Sequence, residues 1–147
     1  MKKAILIYCT IIYALIFILT VLSFNRIGYE IVFLSIVSAI ALVAIYNVFR
    51  NKNLSISLGA LMLIHLFQSV TFILDGVLYK FIVGTNINFQ LVNNGDVKTR
   101  LSFLPLDFGF SITTIQDQGF MLGVNVTQLF LFIYFTKWLN QIEKLKE

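Results

Sequence analysis

The pattern of apolar and polar positions divides the chain into long apolar runs and one stretch of a different period. Residues 4–24 hold no charge, and after the polar turn Asn25-Arg26-Ile27-Gly28-Tyr29-Glu30 residues 31–49 form a second uncharged run. Each is about twenty residues long, and at 1.5 Å per residue that length crosses a hydrocarbon core of about 30 Å. Ser38, Ala41 and Ala44 lie on nearly one face of the second run, where small side chains let helix backbones approach in lipid. Arg50-Asn51-Lys52-Asn53 marks the next turn.

The third run, taken as a helix over residues 57–82, exceeds what a span needs and carries His65, Gln68, Asp75 and Lys80. At 100° per residue, His65, Gln68 and Asp75 fall within a stripe about 80° wide. Such a stripe faces a bundle interior or water rather than lipid. It predicts either hydrogen bonds between helices or a proton or ion path.

The period changes to two over residues 85–124. Asn88 and Gln90 alternate with Ile87, Phe89 and Leu91, and Lys98, Arg100 and Ser102 alternate with Val97, Thr99, Leu101 and Phe103. Asn94-Gly95-Asp96 between them predicts a type I′ hairpin turn. Pro105 is expected to end that strand, and Phe108, Phe110 and Ile112 to form another. Asp117-Gln118-Gly119 is a further turn signal. Together they predict an antiparallel sheet of three or four strands, half buried with its apolar face on the helix ends. A fourth helix starts either near Gly119 or near Asn125. The second start makes Phe120–Val124 a strand and Asn125 the N-cap of a helix over residues 126–145, with Gln128 at capping-box spacing.

The expected fold is an all-α membrane bundle with a β cap. Residues 1–147 form a single integral membrane domain of four transmembrane helices, with the sheet between helices three and four. Composition agrees: 59% of residues are hydrophobic and 12% charged, against about 25% charged in soluble domains, and the mean hydropathy is +0.89. The first run is longer than a signal peptide's apolar region and no Ala-x-Ala-like site follows, so it reads as an uncleaved span. Lys2, Lys3, Arg50, Lys52, Lys137, Lys144 and Lys146 fall on one side, and Arg26, Lys80, Lys98 and Arg100 on the other. The cationic excess places both termini in the cytoplasm and the insert outside.

The net charge of +4 comes with no long Lys/Arg run, so nucleic acid is not an expected partner. Cys9 is the only cysteine and His65 the only histidine, which rules out an intramolecular disulfide and a His-based metal cluster. Asp107 and Asp117 border turn signals and suit turn hydrogen bonding better than acid–base work. Neither a Gly-x-Ser-x-Gly elbow nor a phosphate loop occurs. No enzyme activity and no cofactor are therefore expected. The expected function is a non-enzymatic binding or accessory module of a plasma membrane, the bacterial inner membrane being the natural setting. It would be an immunity-type protein or a subunit of a membrane complex. Its partners would be the bilayer and either another protein or further copies of the chain. The partner would meet the cap at Asn94, Asp96, Lys98, Arg100, Phe108 and Phe110. The alternative is an oligomeric transporter or channel subunit using the His65–Gln68–Asp75 stripe.

Overall fold

The structure, a computed structural model, describes residues 2–23, 28–93, 95–114 and 119–145. The described residues form four helices and a four-stranded antiparallel sheet, in the order α1 (Lys2–Leu22), α2 (Tyr29–Phe49), α3 (Leu54–Gln68), β1 (Val70–Leu74), β2 (Val77–Asn93), β3 (Val97–Thr114), β4 (Phe120–Asn125) and α4 (Val126–Lys144). The chain divides into two compact units, one of Met1–His65 with Leu131–Glu147 and one of Leu66–Phe130. Arg26, Asn94, Asp117 and Lys146, all invoked above, lie outside the described residues.

In the first unit α1 and α2 pack together along a seam. Leu6, Cys9, Tyr13, Ile16 and Thr20 of α1 are buried, as are Leu34, Ser38, Ala41, Ile45 and Val48 of α2. The alternating three- and four-residue steps are those of interlocking helices, and the small residues expected to face inward do so. The opposite faces are equally apolar, with Ile7, Ile11 and Ile18 of α1 and Ile36, Ile40 and Val43 of α2 exposed. A helix that is apolar all round belongs in a deep core or a bilayer. The hydroxyls of Thr10 and Ser35 donate to the carbonyls of Leu6 and Ile31 at 2.8 Å, so neither needs water. The turn after α2 is a Schellman motif. Asn51 takes φ 52°, and Lys52 N–H donates to Asn47 O at 2.8 Å and Asn51 N–H to Val48 O at 3.2 Å.

Among the described residues two helices, α1 and α2, are long and apolar enough to cross a membrane. At 21 residues each they reach about 31 Å. The third helix is shorter than residues 57–82 predicted: α3 has 15 residues, about 22 Å, and stops at Gln68. Ser69 ends it, turning its N–H and its hydroxyl onto Leu66 O at 3.1 and 2.7 Å. The Tyr79 hydroxyl donates to Phe67 O at 2.9 Å, so two of the carbonyls a helix end leaves unpaired are satisfied. The β-branched Val70 and Thr71 then start β1.

The sheet of the second unit therefore spans residues 70–125, not 85–124. β1 turns into β2 through Asp75 (φ 49°) and Gly76 (φ 78°), with Leu74 opposite Val77. This is a two-residue turn with positive φ at both centres, the type I′ geometry that favours Asp-Gly. β2 and β3 form one long hairpin that closes at Asn93–Val97. The loop is thus three residues rather than a two-residue turn, and Gly95 within it has φ 102°. Pro105 does not end β3. It lies where the register shifts between Gly84 and Asn86, a bulge at which the missing proline N–H breaks no ladder bond, and Thr85 donates its hydroxyl to Pro105 O at 3.0 Å. β4 pairs with β1 and with residues 88–93 of β2, while β1 also pairs with the start of β2. These three strands close into a ring, and among the described residues β3 pairs with β2 alone.

Candidate functional site

The sheet has two chemically opposite faces. Successive side chains of a strand alternate in direction, so Asn86, Asn88 and Gln90 of β2 share one face and Ile87, Phe89 and Leu91 the other. Register carries the division across the strands. Asn125 of β4 faces Asn88, Gly123 faces both Gln90 and Thr71 of β1, and Ser102 and Arg100 of β3 face Asn88 and Gln90. On the other side Leu122 faces Leu91 and Phe72, Leu101 faces Phe89, and Phe103 faces Ile87.

Over β1, β4 and the middle of β2 the polar face is the covered one, while on β3 it is exposed at Lys98 and Arg100. Thr71, Asn86, Asn88 and Asn125 are all buried, Asn88 at 2% exposure and Asn125 at 0%. Asn125 works as the expected N-cap, its Oδ1 accepting from the N–H of Thr127 at 3.1 Å and of Gln128 at 3.4 Å. Its own N–H donates to Ser69 O at 2.8 Å. The Gln128 Nε2 donates to Val83 O at 2.8 Å. The Asn88 amide lies over Gly123, where an added Cβ would come within 2.9 Å of Asn88 Oδ1. Glycine is what lets that amide sit between strands. Asp107, read as a turn residue, lies within β3 instead. Lys80 reaches its Oδ2 at 3.6 Å and Asn86 donates to the same oxygen at 2.9 Å.

The apolar face expected to be covered is largely open. Leu101 is 75% and Phe103 63% exposed, and Phe89, Leu91, Phe108, Ile112 and Leu122 are exposed as well. Only near the start of β2 does this face close, where Phe81 and Val83 are buried and Phe81 meets Phe110 edge-on at 6.0 Å. Tyr79 stacks on Phe72 at 5.2 Å, and burial pushes its hydroxyl above the ordinary value. A sheet with a polar covered face and an apolar open one inverts the soluble arrangement. Among the described residues its 18-residue edge strand β3 also leaves one side of its backbone without a strand partner.

The residues singled out from sequence do not form one site. His65 is 1% exposed and packs between aromatic rings, stacked on Phe135 at 5.4 Å and tilted to Tyr13 at 6.0 Å. Gln68 is buried in the last turn of α3, but Asp75 belongs to the β1–β2 turn, so the stripe ends at Gln68. Asp96 is exposed in the β2–β3 loop. Lys98 and Arg100 are exposed on the polar side of β3, and Phe108 and Phe110 lie on its apolar side. Thr71, Gly123 and the Asp75-Gly76 turn lie outside the expected site, and Asn88, expected on a strand, was not expected to be buried; the turn dipeptide and the β-branched Val70-Thr71 are the signals for β1. Compared with protein families, characterised proteins and solved structures, the chain matches none.

Proposed function

We propose that the protein is a small, non-enzymatic, multi-pass membrane protein whose sheet captures an extended segment of a partner protein along the free edge of β3. In this reading all four helices lie in a plasma membrane, the termini are cytoplasmic and the sheet is outside. The observation that carries it is the edge itself: an 18-residue strand that, among the described residues, pairs on one side only, flanked by exposed Leu101, Phe103 and Phe108. An added strand would take its main-chain hydrogen bonds from β3 and set apolar side chains on that row. Lys98, Arg100, Asp107 and Pro105 on the same strand would limit indiscriminate pairing, as charges and prolines do at natural sheet edges. An immunity-type protein and a subunit of a membrane complex both need such a surface. The transporter reading rested on a continuous polar stripe, and without Asp75 in it edge capture is the reading we retain.

Two measurements test it. In a Cys9→Ser background, an impermeant thiol reagent applied to intact cells should label a cysteine at Asp96 and not one at Asn51. A photo-crosslinking residue at Leu101 or Ser102 should trap a partner protein in cells, and Leu101→Lys with Phe103→Lys should abolish the product while the helical spectrum stays unchanged. Labelling at position 51, or capture that survives both lysines, would sink the proposal.

A further inference from the structure

Where α1 begins and α4 ends, a cavity of about 360 Å³ is lined by Lys2, Tyr134, Lys137, Trp138 and Gln141. Lys2 Nζ sits 4.7 Å above the Trp138 ring and 3.5 Å from Gln141 Oε1. Neither lysine has an ion-pair partner among the described residues, and no carboxylate lines the cavity. Two cations thus line one cavity, Lys2 over the indole and Lys137 beside it in sequence, with no carboxylate among the described residues that line it. Indole rings concentrate at the membrane–water interface, and basic pockets beside spanning helices on the cytoplasmic side take lipid head groups.

We propose that this cavity binds the phosphate of an anionic phospholipid. Lys2 and Lys137 hold the phosphodiester oxygens as point charges, and Gln141 offers its amide to the glycerol head group. The Trp138 and Tyr134 rings lie against the start of the acyl chains. The inference does not depend on the β3 edge. It requires only that α1 sit in a bilayer, which its length and apolar surface allow.

Trp138 is the only tryptophan of the chain, so its fluorescence reports on the cavity. The full-length protein in zwitterionic detergent is titrated with phosphatidylglycerol or phosphatidylcholine carrying brominated acyl chains, which quench an indole they touch. Phosphatidylglycerol should quench saturably and at a much lower mole fraction than phosphatidylcholine. Lys2→Gln and Lys137→Gln should each weaken its binding about fivefold and together about 25-fold. The charge-matched pair Arg50→Gln and Lys52→Gln should leave it unchanged. Equal quenching by the two lipids overturns the proposal, and that comparison needs no variant. Full phosphatidylglycerol affinity in a folded Lys2→Gln/Lys137→Gln protein overturns it too. So does displacement by millimolar inorganic phosphate, which would make the site one for a free anion.

Discussion

Gly76→Ala changes stability in opposite directions according to how residues 69–82 fold. Inside a helix, glycine is worse than alanine by about 1 kcal/mol, so the substitution would stabilise a helix running through position 76. In the β1–β2 turn Gly76 has φ 78°, where an L side chain costs about 1–2 kcal/mol. The expected change is therefore a loss of about 1–2 kcal/mol. For a chain of 147 residues that lowers the thermal midpoint by roughly 2–8 °C. Asp75→Asn is the control. Asn tolerates the positive φ of 49° at that position, so its midpoint should move by about 0.5 kcal/mol or less. Both are read by thermal unfolding in detergent, followed by circular dichroism. A higher midpoint for Gly76→Ala would refute the hairpin and restore a long third helix with Asp75 on its polar stripe.

Three further outcomes follow from the same geometry. Gly95→Val, at φ 102° in the β2–β3 loop, should cost about 1–2 kcal/mol, whereas Gly28→Val, with open space around it, should cost about 0.5 kcal/mol or less; equal losses in detergent unfolding would count against the loop. Gly123→Ala should cost about 1–3 kcal/mol by displacing the Asn88 amide, and pairing it with Asn88→Ala should recover part of that loss, so additive losses in a double-mutant cycle would place the amide elsewhere. Asp107→Asn should cost less than about 1 kcal/mol, because Lys80 is 38% exposed, while Asp107→Leu should cost about 1–3 kcal/mol by leaving the Asn86 amide without its acceptor; unfolding midpoints that rank the other way would refute this.

Much of the helical part was legible because it rests on one simple signal. Uninterrupted apolar runs located α1 and α2, the small residues Ser38, Ala41 and Ala44 marked the seam, and Asn125 marked the step from β4 to α4. The third run defeated the same method, since apolar residues predominate from Leu58 through Val83 on both sides of the point where the backbone changes from helix to strand at Ser69. Periodicity does not separate the two within a short apolar run; Asp75-Gly76 and the β-branched Val70-Thr71 do. Alternation in residues 87–103 revealed the strands but not which face is covered. A polar row and an apolar row look the same in sequence whichever of them is covered, and the burial of Asn88 and Asn125 shows that here it is the polar row. Pro105 misled because a bulge on an edge strand accommodates what a central strand cannot.

The bond from Asn125 N–H to Ser69 O joins the residue just after α3 to the residue just before α4. The chain thus leaves the sheet 2.8 Å from where it entered, so the whole sheet is an insertion with adjoining ends. Lengthening or trimming its far hairpin around residues 94–96 leaves the starting point of α4 untouched, as surface loops allow. The reach of β3 can therefore change without re-engineering the helices. The same junction makes residues 69–125 a natural piece to transplant between two other helices whose ends already lie side by side.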